Sequence, residues 1–291
     1  MKKLLKLFII PTLFLSACNQ NNNSQITSSK YEIEIGATNE LLKEDVTVYR
    51  EGLKIVGELY TPKNSYEEFP LVIMSHGFGG NMDGLRDLSV KFAKEGFATF
   101  IYDFIGGGYS IKSDGQLTDM SVLTEAKDLN AVLDYLLEDE RINADNVFLL
   151  GQSQGGFVST YVAAKRDDIK ALVDYYPAFV IRDDAEAQYS SAELVPDPYQ
   201  MTKMGATLGK IYYVDATSFD IYDVMADYQG NTLIMHGTSD NIVPYSYSQR
   251  AAQVIPHCEL VTYDGAGHGF NGQTATDADN HALEFVKNNL N

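Results

Sequence analysis

"LLGQSQGG", residues Leu149 to Gly156, decides how the rest of the chain is read. Gly151-Gln152-Ser153-Gln154-Gly155 fits G-x-S-x-G, in which a serine sits on a sharp strand-to-helix turn with its hydroxyl exposed. Alone the motif is weak, because glycine and serine are common residues. Context gives it weight. "NVFLLGQ" before it reads as a strand, and "QGGFVSTYVAAK" after it reads as a helix. Glycines at 151 and 155 would allow the close backbone approach that such a turn demands.

A serine hydroxyl is nearly inert at neutral pH and needs a base within hydrogen-bond reach. His268, in the late glycine-rich loop "DGAGHGF", is the candidate base. The imidazole in turn needs an acid to orient it, and Asp240 in "HGTSDNIVP" is placed for that role. Ser153, Asp240 and His268 follow in the chain order of the α/β-hydrolase fold, each after a strand end. The developing oxyanion requires two preorganised donors. The backbone N–H of Gln154 is one, and that of Phe78, in "SHGFGG", is the other. His76 is expected to pin that loop.

Other candidates have structural readings. Asp103 in "YDFIGGGYS" precedes the serine and belongs to a turn. Asp264 opens the His268 loop and reads as its cap. His236 reads as a satisfied structural histidine, and His257 and His281 as surface residues. HExxH, paired CxxC and Walker patterns are missing from the sequence, so neither a metal nor another cofactor is implied.

Along the chain, "VTVYR" and "LKIVGELYTP" read as an opening antiparallel pair. "PLVIMSHG", "FATFIYD", "NVFLLGQS", "ALVDYYP", "TLIMHG" and "CELVTYD" are continuous apolar runs, as expected of strands buried on both faces. Helix-period segments stand between them at 83–95, 122–138 and 156–165, and another closes the chain at 278–290. Leu129, Val132, Leu133 and Leu136 make one apolar stripe. The alternation predicts an α/β, mostly parallel, doubly wound sheet. About fifty residues between Pro177 and "TLIMHG" exceed a simple crossover, and their tyrosines and methionines predict an inserted cap over 178–225.

The start of the chain differs. Lys2, Lys3 and Lys6 precede "LFIIPTLFL" and then "SAC", the pattern of a secretory signal over residues 1–17. "LSAC" resembles a bacterial lipobox, which implies lipidation of Cys18. The polar stretch that follows reads as a tether reaching to residue 40, ahead of a hydrolase domain over 41–291. The expected product is exported and anchored to a membrane through its N-terminus without spanning it. The formal charge is −18, becoming about −21 without the signal lysines, and no basic run occurs. That excludes nucleic acid as an expected partner and disfavours polyanionic substrates. Cys258 would be the one remaining cysteine, read as a buried strand residue.

"HGFGG", "DFIGGGYS", "MSVLTEAKDLNAVLDYL", "GQSQGG", "HGTSD" and "GAGHGF" together resemble the bacterial cinnamoyl (feruloyl) esterases of the α/β-hydrolase superfamily, from about Leu53 to the C-terminus. The resemblance implies Ser153, Asp240 and His268 as the triad, with Phe78 and Gln154 as oxyanion donors. It also implies Asp184 and Tyr212 of the insertion as partners of a phenolic ring hydroxyl. Gln152 departs from the family's usual histidine, and its side chain is expected beneath the turn. The expected activity is hydrolysis of small-molecule esters, short or hydroxycinnamoyl, through an acyl-enzyme. The alternatives are a serine peptidase of the same fold, favoured by a cap that binds a peptide terminus, and a non-catalytic surface-binding lipoprotein, favoured by a broken triad.

Overall fold

The computed structural model describes residues 40–63 and 68–291. The leader, Cys18 and all of the tether except Glu40 lie outside the described residues. β1 (Leu41–Arg50) and β2 (Leu53–Pro62) form an antiparallel hairpin paired from Leu41–Pro62 to Arg50–Leu53. β3 (Phe69–Ser75), α1 (Arg86–Lys94), β4 (Ala98–Tyr102), α2 (Val122–Leu136), β5 (Ile142–Gln152), α3 (Gln154–Ala163) and β6 (Ala171–Tyr175) follow in alternation. After an insertion come β9 (Asn231–Gly237), α7 (Ser246–Val254), β10 (Cys258–Tyr263) and α8 (Gly272–Asn288).

The eight strands form one sheet in the order β1-β2-β4-β3-β5-β6-β9-β10. β2 meets β4 antiparallel, and every pair from β4 to β10 is parallel. The chain runs from β3 to β4 on one side and then to β5 on the other. Strand order therefore reverses at β3, and the crevice at the carboxyl ends of β3 and β5 is where such sheets place their sites.

Alternation along the strands divides the core into two layers. Leu71 and Ile73 of β3, with Val147 and Leu149 of β5, pack against α2 and α3. Val72, Met74, Phe148 and Leu150 face α1 and α8. The predicted stripe Leu129, Val132, Leu133 and Leu136 is buried on α2. That helix starts at a capping box, with Ser121 and Thr124 each bonding the other's backbone N–H.

β10 departs from expectation. It is an edge strand with β9 as its one neighbour, and none of its residues is fully buried. Cys258 is accordingly half-buried, with its thiol still pushed up to about 12 by burial beside Asp174 and Glu259.

The insertion comprises α4 (Ile181–Gln188), the small antiparallel hairpin β7 (Tyr199–Met201) and β8 (Ala206–Leu208), α5 (Lys210–Thr217) and α6 (Ile221–Met225). Buried Tyr199, Tyr212, Tyr213 and Tyr222 merge its interior with the α2–α3 layer. The Ser121 hydroxyl, already the cap of α2, also donates to Asp215 of α5.

Arg50 clamps the opening hairpin onto this frame. Its Nε donates to Asp128 of α2 at 2.5 Å, and the Ile105 N–H donates to the other carboxylate oxygen at 2.9 Å. Burial pushes the Asp128 carboxyl up to about 6 against the pull of Arg50. In Arg50→Met the carboxyl loses its counter-charge, which should cost about 3 kcal/mol of stability at about pH 8. Below the folded-state value Asp128 is already neutral in the folded protein, so urea denaturation at about pH 5 should show most of that loss gone.

Candidate active site

Ser153 joins β5 to α3 with φ 53° and ψ −116°, a conformation that costs a non-glycine residue about 1–3 kcal/mol. The surroundings hold it there. Its N–H donates to Tyr175 O at 2.9 Å, and its carbonyl accepts from Gly156, Phe157 and Ala178 at 3.0, 3.2 and 2.9 Å. A β-carbon on Gly155 would lie 2.3 Å from Ser75 O, and one on Gly151 would lie 2.4 Å from Gly155 O. Glycine at both positions is thus a matter of space.

The Ser153 hydroxyl lies 3.0 Å from His268 Nε2, and His268 Nδ1 lies 2.7 Å from Asp240 Oδ2. Three residues far apart in the sequence form one hydrogen-bonded line. Asp240 Oδ1 accepts from the Ile242 and Val243 N–H groups, both at 2.9 Å. Burial works to raise the Asp240 pKa. Hydrogen bonds from His236, His268 and the Val243 N–H outweigh it and hold the carboxyl well below the usual range.

His236 is a satisfied buried histidine, yet its place says more. Its Nε2 lies 3.1 Å from Asp240 Oδ2 and 3.0 Å from Val243 O, while Nδ1 faces the Ser248 hydroxyl at 2.6 Å. It braces the same carboxylate oxygen that His268 meets. The four-residue spacing in "HGTSD" was the sequence signal for this contact. Tyr176 gave no such signal: its ring packs edge-on against His268, with centroids 4.7 Å apart, fixing the imidazole plane.

The remaining candidates fall elsewhere. Asp103 is buried and accepts from the Met82 and Lys112 N–H groups. Asp264 is exposed and accepts from the Thr238 hydroxyl at 3.0 Å. His76 bridges Gly77 O and the Phe104 N–H, and burial lowers its pKa, so it holds its loop as a neutral ring. His257 and His281 are exposed.

Gln154 opens α3, so its N–H has no acceptor within the helix. The Phe78 N–H likewise takes no acceptor among the described residues. The Gln154 side chain is also committed. Its amide donates to Glu125 Oε2 at 2.8 Å, and its carbonyl accepts from the Tyr212 hydroxyl at 2.7 Å. Burial drives the Glu125 carboxyl well above its ordinary value, which favours its neutral form.

Two spaces meet at Ser153. A narrow recess of about 50 Å³ is walled by apolar residues such as Val180, Ile181 and Val243, and also by Asp184, Lys203 and Tyr212. An open cleft of about 380 Å³ holds His268, Asn81, Gln152 and a rim of glycines. Asp184 is not free, since Lys203 Nζ donates to both its oxygens at 2.8 and 2.7 Å. Burial still raises the Asp184 pKa against that pairing.

Gln152 corrects the sequence-based expectation. Its side chain lines the open cleft and does not lie beneath the turn. Strand alternation explains this: Gln152 points to the same side as Leu150 and Phe148, but beyond the end of the layer that covers them.

Residues 86–291 match the profile of the prolyl oligopeptidase family. The chain belongs to that family. Among solved structures it is similar to Est1E of Butyrivibrio proteoclasticus with ferulic acid bound, at 28% identity and a TM-score of 0.76, covering 84% of this chain and 98% of that one. Among curated proteins it is 22% identical to the bifunctional esterase/perhydrolase DCH of Acinetobacter calcoaceticus, over 82% of this chain and 98% of the relative. It is 24% identical to lipase 3 of a Moraxella strain, over 84% and 82% respectively. The fold is that of the α/β-hydrolases.

Asp240→Asn should lower kcat by about 10⁴-fold, because the imidazole loses the acceptor that fixes its tautomer. Asp264→Asn should stay within about threefold of the parent, as its side chain meets solvent and a single hydroxyl. Steady-state kinetics on p-nitrophenyl acetate compare the two. Near-parental kcat in Asp240→Asn would remove that residue from the site.

Proposed function

We propose that this protein is a serine carboxylesterase that works through an acyl-enzyme. The observation that carries the reading is the hydrogen-bonded line Ser153–His268–Asp240 at a turn flanked by two N–H groups with no acceptor among the described residues. Ser153 Oγ attacks the ester carbonyl as its proton passes to His268 Nε2. The N–H groups of Phe78 and Gln154 receive the oxyanion, and the positive end of α3 adds to them. His268 then returns the proton to the departing alcohol oxygen, and water repeats the sequence to release the acid. Asp240, held ionised by its donors, keeps Nδ1–H pointed inward and stabilises the imidazolium. The esterases and lipases among the relatives support the same reaction class.

For the acyl group the reading is a hydroxycinnamoyl ester. The narrow recess beside Ser153 suits a flat chain, and the resemblance to a protein solved with ferulic acid supports it. Tyr212 already donates to Gln154 and so can serve a ligand only as an acceptor. The para-hydroxyl would instead donate to Asp184, with Lys203 holding that carboxylate in place.

The family name raises peptide cleavage as a second reading. The one carboxylate that lines the recess, Asp184, is already paired with Lys203 and so is not free to hold a peptide amine. The ester reading is therefore preferred.

The leader features, Lys2, Lys3, Lys6 and "LSAC", support an exported protein tethered through lipidated Cys18. Intact-mass analysis of the membrane fraction should find a diacylglycerol-modified chain beginning at Cys18. An unmodified terminus at another residue would refute the anchor.

Ser153→Ala should lower kcat by an amount on the order of 10⁶-fold and abolish labelling by a fluorophosphonate. Labelling at the parental rate would refute the nucleophile. For the acyl reading, the parent should favour methyl ferulate over methyl cinnamate, and Asp184→Leu should reduce that ratio about tenfold, since the carboxylate that would accept the ring hydroxyl is gone. An unchanged ratio would leave a general esterase.

A further inference from the structure

Gln154 serves the oxyanion through its backbone, so the commitment of its side chain calls for a separate account. This inference rests on the serine-esterase reading. Gln154 of α3, Glu125 of α2 and Tyr212 of α5 are all buried. Burying three polar side chains adds little net stability, because each bond they form replaces one to water. An apolar residue at 154 would fill the same space without that desolvation. What the polar chain adds is direction.

Direction matters because the Gln154 N–H finds no acceptor within its helix and has nothing of its own to hold it. The peptide unit is planar, so ψ of Ser153 sets where that N–H points. That ψ is −116° at a φ of 53°, a strained conformation that an unrestrained serine would leave. Leaving it would swing the Gln154 backbone, and the Gln154 side chain is tied at both ends. Nε2 donates to Glu125 Oε2 at 2.8 Å, and Oε1 accepts from the Tyr212 hydroxyl at 2.7 Å.

The same two partners reach the second donor. The Tyr212 ring meets the Phe78 ring edge-on, with centroids 6.2 Å apart. Just past Phe78, the Gly79 N–H donates to Gly107 O at 3.0 Å. A β-carbon on Gly107 would lie 3.0 Å from Glu125 Oε1, so Glu125 packs against the segment that holds Gly79.

We propose that Tyr212 and Glu125 are positioning residues for the two oxyanion donors. The insertion then governs the rate on any ester, including one whose acyl group offers the recess nothing to bind. A tyrosine that only recognised a ring hydroxyl would affect hydroxycinnamoyl esters alone.

p-Nitrophenyl acetate is the probe, because acetate carries no ring hydroxyl. Tyr212→Phe keeps the ring against Phe78 and removes the tie to Gln154. It should lower kcat about tenfold with KM nearly unchanged, a fraction of the roughly 10²-fold to 10³-fold cost of losing a whole donor. The inhibition constant of a trifluoromethyl ketone, which forms an oxyanion adduct with the serine, should rise by about the same factor. A loosened fold would lower the fraction of active enzyme, counted by fluorophosphonate titration, and leave that constant as it was.

Burial favours the neutral form of Glu125, and Glu125→Gln reproduces an uncharged acceptor at the same reach. That variant should keep most of the parental kcat, whereas Glu125→Asp, shorter by one methylene, should lose about tenfold. Gln154→Leu keeps the N–H and removes the link, so adding Tyr212→Phe to it should change kcat by less than about twofold. If the leucine variant does not fold, the two Glu125 variants carry the same test.

Parental kcat and an unchanged inhibition constant in Tyr212→Phe overturn this inference alone, as does a Tyr212→Phe loss that is equally large without the Gln154 side chain. Hydrolysis that persists in Ser153→Ala overturns the serine-esterase reading and this inference with it.

Discussion

The carbonyl oxygens of Ser75 and His76 stand 2.3 and 2.5 Å from where a β-carbon on Gly155 would be, so the end of β3 presses directly on the first turn of α3. That contact forces the chain to leave β5 in a single step and throws Ser153 into a backbone conformation that serine does not choose. Four backbone hydrogen bonds, reaching as far as β6 and the start of the insertion, offset the strain. The hydroxyl is thereby lifted out of the sheet, and the N–H of Gln154, in the first turn of α3, has no acceptor within the helix. His268, Asp240 and both adjoining spaces are arranged around that one lifted residue.

Two buried acids near the turn show how burial serves opposite ends. Asp240 is surrounded by donors, two backbone N–H groups and two imidazoles, and burial loses to them, so it stays ionised. Glu125 has a single side-chain donor, and burial wins, which favours its neutral form. The first can stabilise a cation that forms during reaction. The second can hold an amide in place without adding charge beside an oxyanion. Gln154 links Glu125 to Tyr212 of the insertion, so the cap is tied to the residue that follows Ser153. A side chain that reads as incidental in G-x-S-x-G is the joint between two parts of the molecule.

The strand and helix pattern, the order of the sheet's chemistry and the three residues of the hydrogen-bonded line were all legible in the sequence. Each rests on local physics. Continuous β-branched and aromatic runs bury both faces of a strand, an apolar stripe at Leu129, Val132, Leu133 and Leu136 makes a helix face, and Gly151 and Gly155 mark where backbones touch. Periodicity reports what a residue's neighbours along the chain require. It therefore placed the elements well and failed at β10, where burial depends on having a second neighbouring strand and the sheet supplies none.

What the tertiary structure decided are the contacts between distant segments. The packing of Tyr176 on His268 and the Lys203 pair that occupies Asp184 join residues whose proximity no local pattern encodes. Gln152 is the clearest case. Its position one residue before Ser153 suggested a place beneath the turn, but its direction is set by the pleat of β5 and by where the covering layer stops. Sequence alone determined that a serine, a histidine and an aspartate stand at strand ends in the order this fold requires. The packing of those strands and of the insertion decided which space each side chain faces, because facing is a property of the assembled layers and not of the chain.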